Sequence, residues 1–295
     1  MDRTKVIACI AAVLLSLVAS GCAKQHSLTV GSKNFTEQVI LGEIVAQHLE
    51  NRMQQKVTRR LNLGGTLLVH QSVMNGEIDV YPEYSGTALS SVLKINMIND
   101  PKAIVERIRD MYHTNLRLEW LDPLGFNNTF VMAVRDETAA QLKLKTLSDA
   151  EQANVEWRLG VGYEFEQRPD GLSTLNKTYH FRDMKAPVTM DLGLIYRALE
   201  QKQVNMIAAN STDGLLAVAK VKVLADDKHA FPPYDAALVA RSETIALYPK
   251  FKPALDELAG KFSEETMRKL NYEVDGDHKP VADVASAFLR KVGLK

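Results

Sequence analysis

Apolar and polar positions along this chain fall into short strand-like runs and longer helical stripes, separated by glycine and proline breaks. Leu28-Thr29-Val30-Gly31 predicts a short strand, and Ser32-Lys33-Asn34-Phe35 a loop after it. Asn34 or Thr36 is placed to cap a helix in which Val39, Ile40, Ile44 and Val45 share one face, with charge and amides opposite. Residues 57–63 alternate as a second strand, Gly64-Gly65 is a turn, and residues 66–75 read as a helix stopped by Gly76. The stretch Ile78-Asp79-Val80-Tyr81 then reads as a buried strand ended by Pro82, which cannot donate to a ladder. Tyr84, Ser85 and Thr87 would fall on the loop past its carboxyl end, where open α/β sheets bind ligands. A helix over 101–112, with Ile104, Val105, Ile108 and Met111 on one face, leads to strands over 116–121 and 130–134.

The same order then restarts. Residues 158–162 predict a strand, 163–171 a loop, 192–199 a helix and 204–209 a strand, followed by the loop Asn210-Ser211-Thr212-Asp213-Gly214. Leu159-Gly160-Val161-Gly162 matches Leu28-Thr29-Val30-Gly31, and the loop at Asn210 matches the one at Tyr84. This weak repeat predicts two similar α/β lobes that present loops from the carboxyl ends of their strands. A strand over 221–225, another over 236–240 and helical stretches over 243–258, 263–270 and 281–292 follow. Helices without partner strands are expected to pack back on the first lobe. The chain would cross between lobes near 132–135 and 234–237, giving lobe I over 28–132, lobe II over 133–235 and a return to lobe I over 236–295. Two crossings make a hinge, and a hinge between lobes makes a cleft.

Composition narrows the function. A chain of 295 residues has room for two cores. Its 36 basic and 36 acidic residues leave no basic footprint, so no nucleic-acid partner is expected. A mean hydropathy of −0.15 argues against a polytopic membrane protein. The start is different: Arg3 and Lys5 precede an apolar run over 6–18, then Ala19-Ser20-Gly21 and Cys22. Residues 1–21 read as a secretory signal. Small residues before a cysteine resemble the bacterial lipobox, with Cys22 lipidated, a linker over 22–27 and membrane attachment through the lipid. Ordinary cleavage between residues 19 and 23, or an uncleaved anchor, are the alternatives. Cys9 lies inside the signal, so the mature chain would carry no disulfide.

No H-E-x-x-H and no G-x-S-x-G occur. Gly160-Val161-Gly162 begins a G-x-G, but Phe165 stands where a third glycine belongs, and Gly64-Gly65 lacks a following G-K-[ST]. The seven histidines make no helical pair for a metal, and His70 reads as structural. No catalytic residue, cofactor or metal is read from the chain.

Several motifs occur together: Gly31-Ser32-Lys33-Asn34-Phe35-Thr36-Glu37, the run from Gly76 through Tyr84-Ser85-Gly86-Thr87, and Gly125-Phe126-Asn127-Asn128-Thr129-Phe130. Arg168-Pro169-Asp170-Gly171, Tyr196-Arg197-Ala198-Leu199, Ser211-Thr212-Asp213-Gly214 and Phe231-Pro232-Pro233-Tyr234 complete the set. In order and spacing the chain resembles the substrate-binding proteins of osmoprotectant ABC importers, which take up glycine betaine, choline and carnitine. The resemblance implies an α/β, two-lobed periplasmic-binding-protein fold of type II. It implies an extracytoplasmic monomer that catalyses nothing, closes on a small zwitterion or cation, and docks on permease subunits in the membrane.

It also implies site residues. Tyr84 looks like a cage ring for a quaternary ammonium, Thr87 like a carboxylate donor, and Lys33 and Arg168 like a carboxylate clamp, one from each lobe. Tyr196 looks like another cage ring, with core packing beside Ile195 and Leu199 as the rival reading. Phe130 stands where the family usually has tyrosine, and Asn128 where some members have aspartate. Asn210 stands where some members place a further cage tyrosine, and Tyr163 or Tyr234 could compensate. Otherwise the ligand is less cationic or larger than betaine. The alternatives are the same fold with an amino acid or an ergothioneine-like betaine as ligand and, further off, a two-lobed enzyme.

Overall fold

The computed structural model describes residues 27–95 and 100–295. The expected signal, Cys22 and all of the linker except Ser27 lie outside the described residues.

Two five-stranded mixed sheets dominate, beside a two-stranded parallel pair of β6 (Glu156–Trp157) and β8 (Asp183–Met184). In the first, β1 (Thr29–Gly31), β2 (Thr58–Arg60), β3 (Val80–Tyr84), β4 (Leu118–Trp120) and β12 (Ala236–Arg241) lie in the order β2-β1-β3-β12-β4. In the second, β5 (Phe130–Arg135), β7 (Leu159–Val161), β9 (Val188–Thr189), β10 (Met206–Asn210) and β11 (Val221–Leu224) lie in the order β9-β7-β10-β5-β11. The two orders superpose strand for strand. In each sheet the first three strands are parallel, and the fourth and fifth join antiparallel. The repeat legible in the sequence is therefore a repeat of topology, with Tyr84 and Asn210 at equivalent strand ends.

Alternation places successive side chains on opposite faces of each sheet. Val80, Leu238 and Ala240 face a core closed by α1 (Thr36–Met53), while Tyr81, Ala237 and Val239 face one closed by α2 (Thr66–Met74) and α3 (Pro101–Met111). In lobe II, Met132, Leu159 and Met206 face the core that includes Phe165 of α4 (Tyr163–Gln167), while Ala133, Ile207 and Ala209 face α5 (Leu192–Glu200). The C-terminal helices α6 (Phe251–Asp256), α7 (Glu264–Asp275) and α8 (Val281–Lys291) share their core with α1.

Several local expectations are corrected. β3 runs through Pro82. Ser85 N donates to Asp235 O and Arg241 N to Asp79 O, both at 3.0 Å, so the bonded pairs fall on odd-numbered residues of β3. Pro82, opposite Leu238, therefore aims its nitrogen away from β12, toward a strand that pairs with β3 only at Val30 and Val80. No ladder bond is lost. Ser85–Thr87 is a helical turn rather than a loop, and residues 163–167 form α4 rather than loop. The stretch 243–258 splits into Ser242–Leu247 and Phe251–Asp256, because Tyr248 is extended ahead of Pro249. Neither Asn34 nor Thr36 caps α1. Phe35 is the capping residue, without a side-chain bond, and Thr36 instead donates to Asp275 at 2.7 Å. The polar side of α1 is not all solvated: Glu37, Gln38 and His48 are buried.

The first crossing also moves. β5 pairs with β10 from Phe130 onward, so the chain has entered lobe II before 132–135. The connecting segments are residues 121–129 and 225–235. They run side by side, with Leu124 N on Ala236 O (2.8 Å), Ala236 N on Phe126 O (3.0 Å) and Asn128 N on Tyr234 O (3.0 Å).

The loop after β10 meets α7 closely at Gly214, where a Cβ would lie 2.3 Å from the Tyr272 backbone nitrogen. Gly214→Ala is expected to cost about 1–3 kcal/mol through this overlap. Calorimetry should show a lower Tm, and an unchanged Tm would mean that the two segments can part without penalty.

Candidate functional site

The carboxyl ends of β1, β3, β7 and β10 and the two connecting segments converge on one cavity between the sheets. Of the residues expected at the site, Lys33, Tyr84, Thr87, Asn128, Phe130, Tyr163, Arg168 and Asn210 all line it. Tyr196 does not. α5 turns Ile195 and Leu199 into the sheet, and this register puts Tyr196 beside a separate hollow on lobe II with Arg135 and Glu200. Its hydroxyl donates to Asp213 at 2.8 Å. Asp213 also accepts from Leu215 N at 3.1 Å, capping the turn that follows.

The two cations expected to clamp a carboxylate are already paired. Lys33 is 2 % exposed and donates to Glu83 at 2.5 Å. Burial lowers its pKa, and the Glu83 carboxylate opposes the fall. Arg168 holds Asp170 with two bonds, 3.0 Å from Nε and 2.5 Å from Nη2, and Tyr234 donates to the same carboxylate at 2.6 Å. Neither cation is exhausted, since an ammonium has three donors and a guanidinium five. Both also cover rings. Lys33 Nζ lies 5.2 Å from the Tyr84 centroid, and the Arg168 guanidinium 5.1 Å from Phe130 and 5.6 Å from Tyr234.

The rings form two groups. Phe130 meets Phe165, Phe231 and Tyr234 edge-on, with centroids 5.0–5.8 Å away. Phe35, which sequence reasoning passed over as a loop residue, stacks on Tyr84 at 6.3 Å and also lines the cavity. Tyr163 is half exposed at the rim. Thr87 Oγ1 is buried with no hydrogen-bond partner among the described residues, as is Glu83 Oε2.

The group most completely missed is Glu37. It is 3 % exposed and accepts from Tyr84 (2.6 Å), Asn128 (2.8 Å), Thr212 (2.5 Å) and Asn271 (3.1 Å). Burial pushes its carboxyl up, against the pull of those four donors. Asn128 is thus tied to the frame, although it lines the cavity. No spacing in the sequence marks Glu37, because its donors come from four distant segments. His70 is structural, with Nδ1 3.3 Å from the Tyr81 hydroxyl. Among the described residues no His, Cys, Asp or Glu cluster could hold a metal, and no helix is long and apolar enough to cross a membrane.

One further contact spans the cleft. Glu164 of α4 accepts from Thr66 N at 3.2 Å and from Thr66 Oγ1 at 2.7 Å. It supplies the start of α2 with the side-chain cap that Gly65 lacks. A Cβ on Gly65 would sit 2.2 Å from the same carboxylate.

A family model for the substrate binding domain of an ABC-type glycine betaine transport system matches residues 26–291. The carnitine transport binding protein of Listeria monocytogenes is 35% identical over 278 residues, covering 94% of this chain and 90% of that protein. A glycine-betaine-binding protein of Pseudomonas aeruginosa is 35% identical over 285 residues, covering 93% and 91%. A crystal structure described as a glycine betaine/carnitine/choline ABC transporter superposes with a TM-score of 0.74 at 33% identity, covering 91% of this chain and 99% of that one.

Glu164→Ala should loosen the cleft, since the only side-chain cap on α2 then disappears. Small-angle scattering is expected to give a larger radius of gyration, and Gly65→Ala should move it the same way. An unchanged radius in both variants would show that Glu164 does not hold the lobes together.

Proposed function

The chain belongs to the family of substrate-binding domains of ABC-type glycine betaine transport systems, and from that premise we propose how its cleft takes a ligand. It is an extracytoplasmic solute-binding protein of an ABC importer, and it delivers a quaternary ammonium compound such as glycine betaine, choline or carnitine to the permease. The observation that carries the site assignment is the convergence of rings, cations and an unpartnered hydroxyl from both lobes on one interlobe cavity.

A trimethylammonium has no N–H to donate, so ring faces are its natural partners, each contributing about 0.5–2 kcal/mol. Phe35, Tyr84, Phe130, Tyr163, Phe165 and Tyr234 are the rings that line the cavity. A ligand carboxylate would use the remaining donors of Lys33 and Arg168, together with the Thr87 hydroxyl. Asn210 offers an amide rather than a ring. Tyr196 takes no part. The protein works as a monomer held to the membrane by a lipid on Cys22, and the closed lobes dock on the permease.

Titration calorimetry with glycine betaine, choline and carnitine tests the assignment. At a ligand concentration of about 100 times Kd, binding adds roughly 2.7 kcal/mol of stability, which a thermal shift also reads. Absence of heat and of shift with all three would remove it. Thr87→Val should leave Tm unchanged or slightly raised, since the buried hydroxyl has no partner to lose. It should weaken carboxylated ligands by about tenfold relative to choline, the loss of one charge-assisted bond. Equal losses for choline and glycine betaine would take Thr87 out of the carboxylate site.

A further inference from the structure

A second hollow adjoins the ring-lined cavity and shares Asn34, Phe35, Asn128, Asp191, Leu192 and Asn210 with it. At about 160 Å³ it is more than twice the 70 Å³ of the ring-lined part. Its chemistry is different. The ring-lined part carries Lys33 and Arg168. The second hollow is lined by the carboxylates of Glu37, Asp191, Asp213 and Asp275, and by no lysine, arginine or histidine.

A second observation concerns hydrogen bonding. Asn271 lines this hollow, is 3 % exposed, and has its Oδ1 buried without a partner among the described residues. Its Nδ2 is committed to Glu37 at 3.1 Å and to Thr212 O at 2.8 Å, which fixes the orientation of the amide. The unmet atom is therefore an acceptor, and what would satisfy it is a donor. The acids also disturb one another. Burial, aided by the charges of Asp275 and Glu37, pushes the Asp213 carboxyl up to about 6, although Tyr196 and Leu215 N donate to it. A positive group entering the hollow would relieve that repulsion.

We propose that this acid-lined hollow is a second subsite of the ligand cleft, and that it takes an N–H-bearing organic cation carried by the same ligand. The favoured ligand is then an elongated quaternary ammonium compound, with its methylated head among the rings and an amine or guanidinium beyond Asn210. A trimethylammonium alone cannot fill this role, because it has no donor for Asn271 Oδ1 or for the carboxylates. A metal ion is a poor match, since the acids do not gather into a group that could hold one. The inference rests on the proposed placement of the ligand between the lobes.

The probes are ω-aminoalkyl-trimethylammonium ions of increasing spacer length, each matched to the n-alkyl-trimethylammonium ion of the same length. Calorimetry on the purified protein is expected to show the amine improving affinity by about tenfold or more at the best spacer, the effect of one charge-assisted hydrogen bond. Asp275→Asn and Asp213→Asn, each checked for an unperturbed Tm, should bring the two series within about twofold of one another. That criterion marks less than a third of the tenfold effect. Equal affinities in the parent protein at every spacer, with choline still bound, would overturn the subsite and leave the proposed function standing. A preference that survives both substitutions, or that vanishes at high salt as diffuse attraction does, would also overturn it. Failure of choline, glycine betaine, carnitine and both series to bind would remove the proposed function and the subsite together.

Discussion

One buried carboxylate holds the site together. Taking an ion such as Glu37 out of water costs several kcal/mol unless hydrogen bonds replace its hydration. Here the replacements are Tyr84 at the end of β3, Asn128 in the first connecting segment, Thr212 after β10 and Asn271 in α7. No two come from the same element, so the charge is satisfied only when all of these segments are in place. The network therefore fixes the ring of Tyr84, the start of lobe II and the C-terminal helices relative to one another. It does so at the hinge, where the two connecting segments already bond in a short ladder.

Around that fixed point the cleft is built from neutralised charges. Lys33 answers Glu83, and Arg168 answers Asp170, so neither cation is left bare in a desolvated place. Their charged ends also lie over the rings of Tyr84, Phe130 and Tyr234. Ring and cation thus lie side by side in the cavity rather than at opposite ends of it. They are interleaved, and under the proposed assignment a guest would share ring faces with the protein's own cations. Phe35 and Tyr163, one from each lobe, line the same cavity, and Phe35 stacks on Tyr84. The bond from Thr66 to Glu164, the residue after Tyr163, joins the same two lobes.

Much of this architecture was written in local pattern. The doubled order of strand, loop, helix and strand survives as two sheets with the same strand order and directions, because strand periodicity and turn chemistry are properties of neighbouring residues. The loops that feed the cavity could be named for the same reason, since a site at carboxyl strand ends follows from topology. Local errors came where a tertiary partner overrode a local rule. Pro82 stays in β3 because the neighbouring strand has ended, and α1 turns Glu37 inward because donors wait for it.

The amino-acid sequence by itself determined two α/β lobes, the chemical types that face each other across the cleft, and half of the positions that line it. Only the tertiary structure decided which charges are spent on one another, that Tyr196 looks elsewhere, and that an acidic hollow opens past Asn210. The reason is physical. Residue type and period are set within a few positions of the chain, whereas a hydrogen bond or an ion pair is set by distance, and the partners of Glu37, Lys33 and Glu164 lie tens to hundreds of residues away.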